Sequence, residues 1–128
     1  TIYNVANEIS TLRDSVSQDY IVKQGASGIW FYRKWNSGLA EFFGGKQFSG
    51  TGSVTIAPTT FPFTLTSLLY KSASVIYDTG SKAMFIVSGS GANISTSDTG
   101  AYVAKQDITD SSSTQTGHIE YDIKGLWK

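Results

Sequence analysis

The sequence contains no cysteine and only one histidine, and charged residues are scarce. Asp, Glu, Lys and Arg make up 16% of its 128 residues, compared with about 25% in typical soluble domains. Without cysteine the chain forms neither disulfides nor thiolate metal sites. A lone histidine, His118, and the lack of a Gly-x-Ser-x-Gly sequence argue against a nucleophilic triad. Scattered carboxylates add no metal-ligand spacing, so we expect no metal and no cofactor.

The chain also lacks a net charge and any long hydrophobic run. Ten basic and ten acidic residues balance to zero, so no overall field attracts nucleic acid or an anionic membrane. No apolar stretch approaches the roughly 20 residues needed to span a bilayer. We therefore expect neither nucleic acid binding nor membrane insertion. No signal peptide is recognisable, and a chain that begins at Thr1 is expected to be a fragment of a longer protein.

Carboxylate pairs suited to catalysis do not stand out. Glycoside hydrolysis needs two carboxylates about 5 to 10 Å apart. Glu120 and Asp122 project from one face of a terminal strand, and Glu41 is expected to pair with a nearby arginine. Asp107 and Asp110 lie in a Ser-rich loop, where turn formation explains them better than calcium binding. The sequence therefore favours a protein without enzymatic activity.

Aromatic residues are concentrated in one segment, residues 28–43, which includes two of the three tryptophans. Two apolar runs flank Asn36-Ser37-Gly38, and glycine suits the left-handed position of a three-residue hairpin loop. The segment therefore predicts a β-hairpin with a defined register. In that register Arg33 lies opposite Glu41 and the two form a structural ion pair.

The predicted hairpin carries apolar side chains on both faces. Phe31 lies opposite Phe43 on one face, and Tyr32 lies opposite Phe42 on the other. A strand with two apolar faces needs cover on each side. We expect the domain core on one side and a subunit interface or a binding surface on the other, with the hairpin as a structural centre of the domain.

Residues 1–17 have a different pattern from the rest of the chain. Apolar residues recur at alternating spacings of three and four with polar residues between them, as in a heptad seam. This pattern predicts a short coiled-coil neck, and β-branched seam residues are compatible with a homotrimer. The alternative is an ordinary amphipathic helix packed on its own domain. The expected trimerisation residues are Ile2, Val5, Ile9, Leu12 and Val16.

From residue 18 to residue 128 the pattern is β. Short alternating runs recur with turn signals between them and no helical pattern intervenes, which is typical of an antiparallel sandwich or barrel. Gly44-Gly45 is expected to break the strand that follows the hairpin turn. We therefore predict an all-β head, an antiparallel β-sandwich, preceded by the helical neck.

Ligand contacts are expected in the loops of this head. Most aromatic side chains are needed to fill the core of so small a domain. Loops carry recognition on rigid β scaffolds, and polar loops are expected near residues 26–27, 44–49 and 107–117. The candidate ligand-binding residues are Ser27, Lys46, Gln47, Asp107, Asp110, Gln115 and His118.

Several sequence blocks together resemble a known family. The most specific are residues 19–25, 28–30 and 32–41, and weaker blocks lie at residues 61–63, 99–105 and 123–128. Over about residues 18–128 the chain resembles C-terminal receptor-binding or fibre-tip head modules of tail proteins from phages and prophages of Gram-positive bacteria. One departure is Leu126, where that pattern leads us to expect an arginine.

The resemblance implies an all-β, homotrimeric head on a coiled-coil or fibrous shaft, located in the virion and extracellular. Its implied partners are a second and third copy of itself, the rest of the tail fibre or baseplate, and a host surface ligand, commonly a cell-wall saccharide. It implies no residue-level binding site. Two alternatives are a structural trimerisation knob without a recognition role and a fragment of a polysaccharide depolymerase.

Overall fold

A computed structural model describes residues 2–17, 19–79, 84–88, 95–106 and 114–128. Within these ranges the chain forms one helix, α1, and eight strands. The elements are α1 (Ile2–Ser17), β1 (Ile21–Ser27), β2 (Trp30–Trp35), β3 (Leu39–Thr51), β4 (Ser53–Ile56), β5 (Ser67–Thr79), β6 (Met84–Ser88), β7 (Tyr102–Gln106) and β8 (Thr114–Leu126).

The strands form two antiparallel sheets. The larger sheet has the order β1-β2-β3-β8-β5, and the smaller has the order β4-β7-β6. Strand β3 follows the hairpin turn, and β8 is the last strand of the chain. These two long strands pair over their whole length, from Leu39 with Leu126 to Thr51 with Thr114. The prediction of an all-β, antiparallel fold with one short N-terminal helix is confirmed.

The hairpin forms in the predicted register. Arg33 pairs with Glu41, Phe31 with Phe43 and Tyr32 with Phe42. Gly38 adopts a φ of 104°, in the left-handed region, and its N–H donates to the Trp35 carbonyl at 3.0 Å. A glycine is needed there because side chains strongly disfavour that conformation.

One apolar core lies between the two sheets. Trp30 and Phe42 from the larger sheet, Ile56 and Tyr102 from the smaller, and Phe61 from the connection all belong to this core. The Trp30 ring packs edge-on against Phe61 at 5.6 Å, and its Nε1–H donates to the Thr60 carbonyl at 2.8 Å. The aromatic side chains of the hairpin that face inward are therefore structural, as predicted.

The predicted break at Gly44-Gly45 is wrong. Both residues lie inside β3, where they pair with Tyr121 and Glu120. A Cβ at Gly44 would lie 2.5 Å from the Ile29 carbonyl oxygen, and a Cβ at Gly45 would lie 2.9 Å from the Ile119 carbonyl oxygen. The glycines therefore allow backbones to approach each other closely within a continuous strand.

Adding a methyl group at Gly44 should destabilise the fold more than adding one at Gly50 of the same strand. The nearest obstacle at Gly44 is backbone, whereas at Gly50 it is the Val54 side chain, Cγ2 at 2.5 Å, which is able to rotate away. We expect Gly44→Ala to cost about 1–3 kcal/mol, as overpacking does. Urea unfolding of the two variants tests this, and an equal or larger loss for Gly50→Ala would contradict it.

Three residues of the apolar seam of helix α1 are exposed. The exposed fractions of Ile2, Val5 and Ile9 are 91%, 53% and 51%. The chain's own domain therefore does not cover these three side chains. Leu12 and Val16 lie in α1, but their side chains fall outside the description. No described helix is long and apolar enough to cross a bilayer.

Two core tyrosines are expected to make the fold sensitive to alkaline pH. Burial raises the pKa of the Tyr102 phenol and of the Tyr121 phenol above the usual 10.0. A raised folded-state pKa contributes stability below the unfolded-state value, and this stability is lost as pH rises through the folded-state pKa. The melting temperature should therefore fall above about pH 10.

The matched variant for this test is Tyr102→Phe, whose melting temperature should fall less over the same pH range. Burial lowers the pKa of Lys46 and of Lys71, which acts in the opposite direction as pH approaches 10.5. Both lysines are present in both proteins, and Tyr102→Phe keeps the ring that lies 5.5 Å from Lys71 Nζ, so the difference between the two curves reports on the Tyr102 hydroxyl. Identical alkaline melting curves for the two proteins would contradict the prediction.

Candidate functional site

The larger sheet has one face covered by the core and one face that points away from the smaller sheet. We call the second the outer face. Because side chains alternate along a strand, the burial of Phe42 and Tyr121 places the neighbouring Phe43, Glu120 and Asp122 on the outer face. Phe31, with 68% of its surface exposed, and Phe43, with 38%, are two of its exposed apolar side chains.

The strand registers arrange the outer face in transverse rows. One row runs across four strands and contains Phe31, Phe43, Asp122 and Ser72. The next row contains Gly45, Glu120 and Ser74. Aromatic rings thus occupy one end of the first row, and polar side chains occupy the other end. Gly45, which has no side chain, lies in the next row.

These two rows surround an open concavity of about 530 Å³. Its volume lies within the range of about 300–1,000 Å³ typical of small-molecule sites. Side chains of both rows contribute to its walls, and Gly44 and Gly45 form its floor. We call this feature the Phe–Gly concavity. Its lining residues are Ile29, Phe31, Phe43, Gly44, Gly45, Ser72, Ser74, Glu120, Tyr121 and Asp122.

The charged groups beside the Phe–Gly concavity form two loose ion pairs. Lys124 Nζ lies 3.9 Å from Asp122 Oδ2. Arg33 Nη1 lies 3.9 Å from Glu41 Oε2, so the residues predicted to pair do face each other, at a distance that allows little direct hydrogen bonding. Glu120 is exposed at the rim of the concavity. The Glu120 carboxylate is therefore available to a ligand, whereas Asp122 Oδ1 is buried.

Lys46, predicted to contact ligand from a loop, lies in strand β3 and points inward. Its Nζ donates to the Ala57 carbonyl at 2.9 Å and to Thr59 Oγ1 at 2.9 Å. Burial lowers the pKa of this ammonium. The loop placement is wrong because β3 continues past Gly45, and the Lys46 side chain serves to tie β3 to the chain segment after β4.

The other predicted ligand residues that the structure describes also lie in strands and not in the expected loops. Gln47 and His118 form a backbone pair in β3 and β8 and share the outer face, one row beyond Glu120. Ser27 ends β1, and Gln115 lies in β8, although its side chain falls outside the description. Asp107 and Asp110 lie outside the described residues. A role of these residues in ligand binding stays a prediction.

The residues that form the Phe–Gly concavity were not predicted as ligand contacts. The predicted register did place Phe31 opposite Phe43, and Glu120 and Asp122 on one face of a strand. What joins these two features is the pairing of β3 with β8, which brings Asp122 beside Phe43. Residues 43 and 122 are too far apart in sequence for local patterns to reveal that pairing.

No cluster of three or more His, Asp or Glu side chains suited to a metal ion occurs in the described ranges. The arrangement therefore offers aromatic stacking surface, hydroxyl groups and carboxylates. Such groups are suited to recognising a polar ligand that has an apolar face.

Comparison with solved structures identifies proteins that have a similar fold. No family model and no curated protein matches the sequence. The N-truncated R1-type pyocin tail fibre aligns with a TM-score of 0.61 and 14% identity, covering 91% of this chain and 95% of that one. A P. aeruginosa R1 pyocin fibre fragment, C-terminal residues 323–701, also aligns with a TM-score of 0.61 and 14% identity. That alignment covers 89% of this chain and 30% of the other.

This likeness shows that the chain shares the fold of the R1-type pyocin tail fibre domain. It gives no support to the Gram-positive host class implied by the sequence resemblance, because the organism of the second neighbour is P. aeruginosa. At 14% identity the likeness carries no site residue from those proteins to this chain.

Proposed function

We propose that the chain is the head of a phage or phage-like tail fibre or baseplate protein and attaches the particle to a host surface ligand. The observation that carries the proposal is the fold shared with an R1-type pyocin tail fibre over 91% of this chain. The sequence resemblance to fibre-tip modules, which rests on residues 18–128, supports it independently. In this proposal a β-sandwich head follows a helical neck, and the protein resides at the virion tail.

The proposed assembly is a homotrimer. The exposed seam of Ile2, Val5 and Ile9 needs a partner, because three apolar side chains on one helix stripe are costly to leave in water. A three-stranded neck would cover them with equivalent residues from two other copies. Light scattering should give about three times the chain mass of 13.8 kDa. A monomeric mass would contradict the neck.

Adhesion is the proposed activity, and the ligand we propose is a saccharide of the host surface. Three copies of one weak site raise the effective concentration of the ligand, so each site need not be deep. The experiment is co-sedimentation of the labelled protein with bacterial cells from a panel of strains, before and after periodate oxidation of their surface glycans. We expect binding to some strains that oxidation removes. Absence of binding to every strain would favour a structural knob.

A depolymerase is the second candidate function, and one observation favours it. Glu120 and Asp122 are two positions apart on one strand face, with Cα atoms about 6.5 Å apart, and glycosidases use two carboxylates that flank the scissile bond. Incubation with host polysaccharide followed by size analysis decides between the two. We expect the chain length to stay unchanged. Shortened chains that disappear with Glu120→Gln would establish the enzyme.

A further inference from the structure

We propose that the Phe–Gly concavity binds one hexopyranose unit of the host saccharide, a unit without negative charge and preferentially one with a free amino group. The inference rests on the proposed adhesive function and specifies its site and its ligand. Three features of the described residues carry it: the exposed ring pair, the glycine floor and the excess of carboxylates.

The ring pair supplies an apolar platform. Phe31 and Phe43 are direct cross-strand neighbours on the outer face, so their exposed surfaces adjoin. A single exposed phenylalanine is ordinary, whereas two adjoining rings that line a concavity form a patch which favours an apolar contact. The C–H face of a pyranose fits such a patch, because stacking removes apolar surface of both partners from water.

The glycine floor makes room for a ring beside that platform. Gly45 occupies the position between Phe43 in one row and Glu120 in the neighbouring strand. A Cβ at Gly45 would come 3.3 Å from Glu120 Cγ, so any side chain there would fill the space. With glycine, backbone is exposed at the floor and the ligand is able to lie against it.

The charges select the ligand. Two carboxylates, Glu120 and Asp122, line the concavity, and Lys124 balances only one of them. Asp122 Oδ1 is buried and accepts no hydrogen bond in the structure, whereas the Glu120 side chain is exposed. An ammonium group would form charge-assisted hydrogen bonds with the exposed carboxylate oxygens, whereas a uronate or a phosphate would be repelled. Ser72 and Ser74 at the far wall are able to donate to and accept from sugar hydroxyls.

The probes are three oligosaccharides of equal length: a glucosamine oligomer, an N-acetylglucosamine oligomer and a galacturonate oligomer. Isothermal titration calorimetry in 0.15 M salt limits non-specific attraction. We expect the glucosamine oligomer to bind about tenfold more tightly than its acetylated form. This difference in affinity corresponds to about one additional charge-assisted hydrogen bond. The galacturonate oligomer should not bind. Equal affinities, tighter binding of galacturonate, or no binding of any probe would overturn the inference.

Variants separate the two parts of the site. Phe31→Ala combined with Phe43→Ala should abolish binding of both glucosamine oligomers. Glu120→Gln combined with Asp122→Asn should keep binding of the acetylated oligomer and remove the tenfold preference. The controls Val22→Ala and Thr55→Ala replace exposed side chains that do not line the concavity and should bind as the unaltered protein does.

A failure of this inference is distinguishable from a failure of the proposed function. If the Phe31 and Phe43 double variant still sediments with cells as the unaltered protein does, adhesion stands and this site is wrong. If the unaltered protein binds no cells, the adhesive function itself fails. A Phe31→Asp variant that changes the mass of the assembly would show that the outer face is a subunit interface, which also overturns the site.

Discussion

Replacing Phe42 with alanine is expected to lower the free energy of unfolding by about 3–5 kcal/mol. Phe42 is only 1% exposed. Its ring centroid lies 5.0 Å from that of Phe61, 4.9 Å from that of Phe63 and 6.0 Å from that of Trp30. These rings belong to the larger sheet and to the connection between β4 and β5, and they pack against one another, so they have little freedom to close the gap that alanine leaves.

The matched control is Phe31→Ala in the paired strand of the same hairpin. Phe31 is 68% exposed, and truncation of such a side chain usually changes stability by less than about 0.5 kcal/mol. Urea unfolding of both variants measures the difference. The total free energy of unfolding of a small domain is about 5–15 kcal/mol, so Phe42→Ala removes a large share of the stability. Equal losses for the two variants would mean that the two faces of the hairpin are assigned wrongly.

Replacing Ile9 with aspartate is expected to convert the proposed trimer into monomers. Ile9 is exposed and is the middle one of the five predicted seam residues, and a trimer would bring its three copies together at the neck axis. Three aspartates at that place would bury like charges in an apolar layer, which costs far more than the seam contributes. Light scattering over a dilution series should show the chain mass of 13.8 kDa for the variant.

Ser10→Asp is the control for the neck, because it adds the same charge to the next helical position, which is exposed and outside the seam. This variant should keep the trimeric mass. A trimeric mass for Ile9→Asp as well would show that contacts between the heads hold the assembly, and the neck would then lose its proposed role. A changed mass for Ser10→Asp alone would contradict the heptad assignment.

The sequence predicts local features of the fold well. The hairpin turn at Gly38 and the pairing of Phe31 with Phe43 follow from turn chemistry and from the alternation of side chains, both of which act over a few residues. The extent of α1 follows from the three-four spacing of its apolar residues. In each case the physical cause lies within the segment itself.

The missed features depend on contacts between distant parts of the chain. Gly44-Gly45 predicts a break when only its neighbours are considered, yet Ile29 and Ile119 are the groups that need the space. Lys46 then falls in a strand instead of a loop and turns inward to Thr59. The Phe–Gly concavity arises the same way, because strand pairing alone brings residues 43 and 122 together.

Adsorption competition tests the central claim, that this chain is the head which attaches a particle to its host. Purified protein is added in increasing amounts to a susceptible strain identified by co-sedimentation, together with a particle whose fibre contains this sequence. We expect the protein to reduce particle adsorption in a saturable manner, and the Phe31→Ala and Phe43→Ala double variant to have no effect. Undiminished adsorption in the presence of saturating, trimeric protein would contradict the claim.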